Sequence, residues 1–341
     1  MQLNPKYIPL GATGIVLVAL YLTGCYLYPA FGTPRVLVNL LGDNAFLGIA
    51  AVGATFVILS GGIDLSVGSL IAFTGIFIAK LLQLGWDPAW AVPVALAIGG
   101  AGGAIMGSLI QVFALPPFLV TLAGLFFLRG LAFVVHPESI PIDHPFYAEI
   151  LPQLSIVVAP KAVLPFTAIC FIFAVVIGTF VASFTPFGRN VYAVGSNETS
   201  ARLMGLPVSA TKVATYSLAG LFSAFAGIVS TFYMQSGNPA SFVGLELDTI
   251  AAVVIGGTLL TGGVGFVPGT LMGVLILGVI QTLITFNGSL NSWWTRIVIG
   301  ALLLVFILIQ KLISRSRVGI SSGAKARFPV KRDPPRRVEA V

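Results

Sequence analysis

The chain has 341 residues, of which 57% are hydrophobic and 9% are charged, and it carries a formal net charge of +7. Soluble globular domains carry roughly a quarter charged residues, so this composition excludes a soluble enzyme or binding module of this length. In lipid, only helices and closed barrels satisfy every backbone group, and the long apolar stretches lack the alternation of barrel strands. An all-α polytopic membrane protein is therefore predicted.

Ten apolar stretches follow one another along the chain, and a helix needs roughly 20 such residues to cross about 30 Å of hydrocarbon. They cover residues 8–28, 36–59, 65–84, 91–113, 117–135, 163–184, 213–233, 245–260, 266–286 and 296–313. About ten transmembrane helices are predicted, in a transmembrane domain over residues 1–313 that a basic tail follows over residues 314–341. The first stretch is too long for a signal peptide and no A-x-A-like cleavage site follows it, which favours an uncleaved anchor.

Basic residues mark one side of the predicted bundle. With ten crossings, Lys6, the segment 185–212 and the tail 314–341 all fall on the same face. The positive-inside rule assigns that face, and with it both termini, to the cytoplasm. The opposite face carries the acidic loop 136–161 and all four tryptophans, as an aromatic belt at the headgroup level would. A basic tail after a membrane span favours a lipid anchor or a disordered end over nucleic-acid binding.

Two parts of the sequence match at an offset of 201 residues. The tetrapeptide Ile-Ala-Ala-Val at residues 49–52 recurs at residues 250–253, and residues 59–70 align with residues 260–271. An internal repeat is therefore predicted, with halves over about 8–113 and 213–313 on either side of a middle pair. Whether the halves are parallel or inverted depends on the number of crossings, and both arrangements stay open.

Each half carries a Gly-Gly pair between two apolar stretches, followed by a glycine-rich helix start. Backbone that leaves a helix inside the membrane is tolerated only where it is buried in protein or lines a wet cavity, so the breaks predict a solute pathway. The candidate pathway residues at the breaks are Gly61, Gly62, Asp64, Ser66, Gly262 and Gly263. Asp64 and Ser66 can cap the following helix or contact a solute, and both roles stay open.

Four polar side chains inside the apolar stretches are further pathway candidates, because such groups in lipid are costly and face a partner or water. They are Asn39, Asp43, Asn44 and Arg129. Asn39 and Asp43 lie one turn apart on one helical face. Asp43 and Arg129 are expected at a similar depth, where they form an ion pair or share a polar lining. Snorkelling of Arg129 to the headgroups is the alternative.

The sequence lacks the usual catalytic and nucleotide-binding patterns. The loop from His136 to His144 carries Glu138 and Asp143, but its prolines favour a solvated docking loop, and no metal is expected. No Ser-His-Asp, Cys-His or paired-carboxylate arrangement is visible, and the G-x-x-x-x-G-K-[ST] motif is missing. We therefore expect a transporter that is not an enzyme and needs no cofactor of its own. Its energy must come from elsewhere, and an ion gradient that drives a secondary transporter of a small solute is one alternative.

Two segments carry a resemblance to a known family. They are residues 61–69 (Gly-Gly-Ile-Asp-Leu-Ser-Val-Gly-Ser) and residues 187–205, which open with Phe-Gly-Arg-Asn-Val-Tyr and close with Ala-Arg-Leu-Met-Gly. Both look like the permease subunits of bacterial monosaccharide ABC importers, the ribose, xylose and galactofuranose group, and the resemblance extends from about Asn39 to Trp294. Residues 139–142 and 292–295 are most similar to a permease of the galactofuranose importer, which pairs two different permeases.

The resemblance implies a transport subunit for a neutral monosaccharide in the bacterial inner membrane. Its implied partners are an ATP-binding subunit, a second permease subunit, either identical or different, and a periplasmic sugar-binding protein. Segment 185–212 resembles the coupling segment that docks on the ATPase, which uses the ATP. The implied coupling residues are Gly188, Arg189, Asn197, Ala201, Arg202 and Gly205. Residues 199–205 depart from the family pattern E-A-A-x-x-x-G at the glutamate and the first alanine.

Overall fold

The computed structural model describes the backbone of residues 8–288 and 292–323, and the side chains of residues 10–288 and 293–308. Its helices are α1 (Ile8–Leu27), α2 (Pro34–Asp43), α3 (Ala45–Leu59), α4 (Val67–Gln83), α5 (Pro88–Val112), α6 (Pro117–Val135), α7 (Leu151–Gln153), α8 (Phe166–Phe184), α9 (Pro186–Ser196), α10 (Glu198–Leu203), α11 (Val208–Met234), α12 (Leu245–Ile255), α13 (Val267–Asn287) and α14 (Ser292–Gly323). The predicted boundary at residue 313 falls inside α14, which continues to Gly323. Lys6 and the tail from residue 324 lie outside the described residues.

Four short strands interrupt the helical pattern, so the described chain is mostly helical without being all-α. β1 (Ile140–Pro141) pairs antiparallel with β4 (Ser236–Gly237), and β2 (Ile156–Ala159) forms a hairpin with β3 (Ala162–Leu164). A π-helical turn over Phe146–Ile150 precedes α7. β1 joins the loop predicted as solvated to the end of α11, and several residues of that loop are exposed.

The prediction of about ten membrane crossings is not confirmed, because fewer of the described helices qualify as spans by length and composition. By length and composition, six helices of the described chain can cross a membrane: α1, α5, α6, α8, α11 and α13. α2 and α3 meet at a bend of 55° and together make a seventh candidate. Every predicted apolar stretch does lie on a helix, but the stretches at 65–84 and 245–260 form helices of only 17 and 11 residues. The protein is a multi-pass membrane protein with six or seven candidate spans and several shorter apolar helices.

Local signals set many of the helix starts. Four helices begin at a proline, where the missing N–H is not needed for an intrahelical bond: Pro34, Pro88, Pro117 and Pro186. Asp87 adds a side-chain cap to α5, because its carboxylate accepts a hydrogen bond from the Ala89 N–H over 2.7 Å.

The centre of the bundle is α11, which packs against α3, α4 and α5. Glycines allow this packing to be close: a Cβ on Gly103 would overlap the carbonyl oxygen of Tyr216, and a Cβ on Gly220 would overlap that of Gly99. Small residues at four-residue spacing bring membrane helices together in this way. The α5–α11 contact is therefore a rigid frame for the elements around it.

The chain defines two ends of the bundle. The first, which we call the α9 end, carries α9, α10 and the start of α11. The second, which we call the hairpin end, carries the four strands and the turn before α7. All four tryptophans are exposed and lie in the turn before α5, at the start of α5 and at the start of α14: Trp86, Trp90, Trp293 and Trp294.

Candidate functional site

A polar cavity of about 440 Å³ opens between α2, the end of α11 and α13. Its polar lining consists of Asn39, Asp43, Asn44, Tyr233, Gln281, Thr282 and Thr285. We call it the α2–α13 cavity. Three of the residues that the sequence singled out, on α2 and at the bend after it, therefore line one cavity.

The α2–α13 cavity combines hydrogen-bonding groups with aromatic surface. The Tyr233 hydroxyl donates to the Asp43 Oδ1 atom over 3.1 Å, and the rings of Tyr233 and Phe46 have centroids 6.3 Å apart. The Asn44 amide donates to the carbonyl oxygen of Leu40 over 2.8 Å. A concave site with a few convergent polar groups and aromatic walls suits a small polar solute.

Arg129 does not pair with Asp43, so that prediction was wrong. Its Nη1 atom donates to the carbonyl oxygens of Pro239 and Ser241 over 2.6 and 2.7 Å. The guanidinium therefore holds the segment between β4 and α12 and does not line the α2–α13 cavity. The sequence predicted a similar membrane depth for the two side chains. It did not predict how each helix is rotated about its axis, and this rotation decides which groups meet.

Asp64 forms its hydrogen bonds within the first glycine break. It is only 5% exposed, and its Oδ1 atom accepts bonds from the Ser66 N–H over 2.8 Å and the Ser66 hydroxyl over 2.6 Å. Ser66 is the N-cap residue of α4 but makes no side-chain cap bond. The Ser66 side chain therefore does not cap α4, whereas Asp64 satisfies the N–H of the N-cap residue. Contact of either side chain with a solute stays a prediction. Neither side chain lines the α2–α13 cavity.

The two glycine breaks meet each other and α9 at one point. The Gly263 N–H donates to the Leu59 carbonyl oxygen over 2.9 Å. A Cβ on Gly262 would lie 2.9 Å from the Gly61 nitrogen and 3.0 Å from the Gly195 oxygen, and a Cβ on Gly195 would overlap the Leu59 oxygen. We call this contact of three backbone segments the glycine joint. The predicted pathway glycines thus lie at a packed joint at the α9 end.

α9 is held by one bond at its start and by another from within the helix. The Thr185 hydroxyl accepts a bond from the Gly188 N–H over 3.1 Å at its start. The Tyr192 hydroxyl donates to the Gly265 carbonyl oxygen over 2.8 Å, which attaches α9 to the second break. Burial raises the pKa of Tyr192, so the phenol remains a donor at physiological pH.

The short helix α10 is shaped by its caps. The Asn197 Oδ1 atom accepts a bond from the Ser200 N–H over 2.8 Å at its start. At its end, the Leu206 N–H donates to the Ala201 oxygen over 3.1 Å, and Gly205 adopts a left-handed φ of +78°. This is the glycine-terminated helix end that other residues adopt only with strain.

α10 presents an apolar tip to the exterior. Ala201 is fully buried against Val194 and Val208, which joins α10 to α9 and α11. Leu203 and Met204 point outward and are 85% and 70% exposed. Two adjacent exposed apolar side chains thus stand in front of a buried anchor.

Charged side chains surround this tip. Glu198 accepts from Arg202 over 3.2 Å and from Lys212 over 2.6 Å. Arg189 is exposed on α9. The coupling residues implied by the resemblance therefore all lie together, on α9 and α10 and in the turns that bound them.

A comparison with known protein families matches residues 36–307 to the family described as the permease component of branched-chain amino acid transport systems. The chain belongs to this permease family. The resemblance to importer permeases seen in the sequence motifs is confirmed at that level.

This permease is also similar in sequence to known transport proteins. It is 52% identical over 307 residues to the inner membrane ABC transporter permease protein YjfF of Escherichia coli, covering 90% of this chain and 92% of that one. It is 38% identical over 288 residues to the ribose import permease protein RbsC of Bacillus subtilis, covering 84% and 87%. It is 35% identical over 320 residues to the fructose import permease protein FruG of Bifidobacterium longum, covering 92% and 93%. No solved structure matches the permease.

Sequence reasoning missed the α13 side of the cavity. Gln281 and Thr285 stand one turn apart in an apolar helix, the same signal that singled out Asn39 and Asp43 on α2. Tyr233 was not among the residues predicted to line the pathway. A count of polar residues at helical spacing would have found the α13 pair.

The histidine loop of the permease bonds within itself. The His136 Nδ1 atom contacts the backbone of Glu138, and the His144 Nδ1 atom accepts a bond from the Phe146 N–H over 3.2 Å. Within the part of the chain that the structure describes, no group of three or more His, Cys, Asp or Glu side chains could hold a metal ion.

Proposed function

We propose that this permease is the membrane-spanning subunit of an ATP-driven importer that brings a neutral monosaccharide into the cytoplasm. The observation that carries the proposal is the α2–α13 cavity, because the amides, the hydroxyls and the one carboxylate of its described lining suit a neutral, hydroxyl-rich solute. The names of the relatives RbsC and FruG, as ribose and fructose import permeases, support the same class of solute.

The family description names branched-chain amino acids, which are a different class of solute. A free amino acid carries an ammonium and a carboxylate, and each needs an opposite charge when it leaves water. The described lining of the α2–α13 cavity contains Asp43 but no basic side chain. This asymmetry favours a sugar over an amino acid.

The α2–α13 cavity is open on the surface of the single chain. Asn39, Asp43, Gln281 and Thr285 are all exposed. Polar groups on membrane helices face water or another subunit, because contact with lipid is costly. We therefore place the solute path between this chain and a second permease subunit, identical or different, which closes the cavity.

The α9 end is assigned to the cytoplasm. Arg189, Arg202 and Lys212 lie there, whereas the acidic residues Glu138 and Glu149 lie at the hairpin end. Positively charged loops remain on the cytoplasmic side of the inner membrane. Together with the basic tail, this supports cytoplasmic termini, an ATPase docked at the α9 end and a periplasmic sugar-binding protein docked at the hairpin end.

Motion of the ATPase reaches the path through the glycine joint. Leu203 and Met204 dock on the ATPase, and the buried contact of Ala201 with Val194 makes α9 follow α10. α9 touches both glycine breaks through Gly195, so a shift of α9 displaces the ends of both breaks together. ATP binding and hydrolysis thereby shift the population between states open to either side.

The test is ATP-driven uptake by the complex purified from its native membrane and reconstituted in liposomes. Radiolabelled ribose, fructose and galactose are offered with the binding protein outside and ATP in the compartment that the ATPase faces. Accumulation that requires ATP and ignores a protonophore is expected. Accumulation that requires an ion gradient, or a purified particle without an ATPase, would refute the proposal and support the ion-coupled secondary transporter.

We propose galactofuranose as the particular sugar, because residues 139–142 and 292–295 resemble those of a permease of the galactofuranose importer. Mass spectrometry of the sugar retained by the co-purified binding protein tests this choice. Retention of a different sugar corrects the choice and leaves the importer proposal in place.

A further inference from the structure

A second polar cavity lies beside the first, between α12, α13 and α14. It has a volume of about 570 Å³ and shares Asn44, Gln281 and Thr285 with the α2–α13 cavity. Its own polar residues are Asp248, Thr295 and Arg296. We call it the α12–α14 cavity. Gln281 and Thr285 of α13 form the wall between the two.

The α12–α14 cavity is lined by two oppositely charged side chains, Asp248 and Arg296, that do not form an ion pair. Asp248 and Arg296 are close enough to interact electrostatically. No ion pair within 4.0 Å and no side-chain hydrogen bond involves either group among the described residues. A charged group on a membrane helix is expensive unless it is paired or serves a function. The gap between the carboxylate and the guanidinium is therefore the feature to explain.

Both side chains are held in place by their neighbours. The Cζ atom of Arg296 lies 5.6 Å from the ring centroid of Trp293, a cation–π contact within the first turns of α14. Its Nη1 atom would be 3.3 Å from a Cβ on Gly244, at the turn that begins α12. Asp248 stands in the first turn of α12, where its N–H bonds to the Gly244 oxygen over 3.3 Å. The two charges thus face the cavity from two helices that meet at Gly244.

We propose that the α12–α14 cavity is a sugar-binding subsite of the permease itself, in which Asp248 and Arg296 bind adjacent hydroxyls. A carboxylate accepts hydrogen bonds from two hydroxyls, and a guanidinium donates two parallel bonds to their oxygens. A neutral polyol placed between them satisfies both charges without bringing a charge of its own. This inference rests on the proposed function, because it assumes that a sugar reaches the α2–α13 cavity next door.

The subsite gives the permease a share in the choice of sugar. Sites that bond a hydroxyl bind analogues that lack it more weakly, because polar groups of the site are then left without that partner. Asp248 is half-buried and Arg296 is exposed, so the carboxylate contributes the larger part of this selectivity. The shared wall of Gln281 and Thr285 offers each cavity an amide and a hydroxyl. A sugar can therefore pass from one cavity to the other without losing all of its hydrogen bonds at once.

The experiment measures sugar binding to the complete permease–ATPase complex without the binding protein. Saturation-transfer NMR gives the Kd of ribose, fructose and galactose for wild type, Asp248→Asn and Arg296→Gln. Glu138→Gln is the matched control, because it removes a charge from the exposed loop outside both cavities. Thr295→Val, which alters the same cavity without removing a charge, is measured as well in case a charge variant fails to assemble.

We expect the tightest of the three sugars to bind about tenfold to a hundredfold more weakly in Asp248→Asn and in Arg296→Gln, with Glu138→Gln unchanged. Thr295→Val is expected to weaken binding severalfold. Values within twofold of wild type in all assembled cavity variants would overturn the subsite and assign Arg296 to snorkelling. Failure of the wild-type complex to accumulate sugar with ATP is a different result, which would refute the proposed function instead.

Discussion

The backbone N–H of Gly263 donates to the carbonyl oxygen of Leu59 over 2.9 Å, which fastens the second glycine break to the end of α3. Gly195 of α9 packs on the same carbonyl so closely that no side chain fits between them. Three segments separated widely in the sequence therefore meet through their backbones. Under the coupling that we propose, a movement of α9 would reach both glycine breaks through these backbone contacts.

Gly195→Ala is expected to disrupt the glycine joint. The added methyl group overlaps the Leu59 oxygen, and forcing extra volume into a packed site costs about 1–3 kcal/mol. We expect a lower midpoint of thermal unfolding and loss of ATP-driven uptake. Gly102→Ala is the control, because nothing lies within 4 Å of a Cβ at that helical position. Equal behaviour of the two variants would show that the joint is not a tight contact.

Arg129→Gln is expected to release the segment between β4 and α12. The change removes bonds to the Pro239 and Ser241 carbonyls, each worth about 1.5–3 kcal/mol for a charged donor. Hydrogen exchange over residues 235–244 should speed up, while Arg189→Gln, at an exposed site, should leave it unchanged.

A charge swap between Asp43 and Arg129 tests the same geometry from the other direction. Because the two side chains have different partners, Asp43→Arg combined with Arg129→Asp should transport no better than either single variant. Recovery of uptake in the double variant would show that Asp43 and Arg129 interact directly.

Tyr233→Phe is expected to weaken the interaction of sugar with the α2–α13 cavity. Loss of the hydrogen bond to Asp43 frees the carboxylate from its position, and one such bond corresponds to about twofold to tenfold in affinity. The sugar concentration at half-maximal uptake should rise by that factor. Tyr26→Phe is the control, since Tyr26 is exposed on α1 outside the cavity. An effect of equal size at Tyr26 would contradict the assignment.

Leu203→Ser combined with Met204→Ser is expected to release the ATPase. Burying one such side chain is worth about 1.5–3 kcal/mol, so the loss of two should weaken docking at least tenfold. Recovery of the ATPase with the tagged permease measures this. Val157→Ser is the control, because Val157 is a comparably exposed apolar residue on the hairpin at the opposite end. Undiminished recovery in the double variant would move the docking surface elsewhere.

Tyr147 is expected to make the permease sensitive to alkaline pH. Its hydroxyl lies 3.0 Å from the Thr231 hydroxyl, and burial raises the pKa of Tyr147 from 10.0 to about 12. Because the folded pKa exceeds the unfolded one, its stabilisation is complete below pH 10.0 and is lost as the pH rises through about 12. The unfolding midpoint of wild type should fall relative to Tyr147→Phe over that interval. Parallel curves would show that the phenol is not buried.

Local chemistry made the helices predictable. Proline at the first position marks where α2, α5, α6 and α9 begin, and apolar composition marks how far they run. The helix predicted over residues 245–260 is shorter in the structure. α12 ends at Ile255, and Gly257 then turns with a φ of +92°.

Non-local geometry limited what could be said of the site. Asn39 and Asp43 were placed together because one helical face fixes their relation. Asp43 and Arg129 lie on different helices, and no local rule sets how two helices are rotated about their axes. The same limit hid Gln281 and Tyr233 as partners of the α2 residues, and it hid the glycine joint, whose contacts link residues 59, 195 and 263.

The open polar flank of α2 and α13 also bears on the biosynthesis of the protein. A newly inserted chain that has not yet met its companion presents Asn39 and Gln281 to hydrocarbon. With the second subunit in the place we propose, these polar groups would no longer contact hydrocarbon, so assembly would remove a cost that the separate chain bears in the membrane.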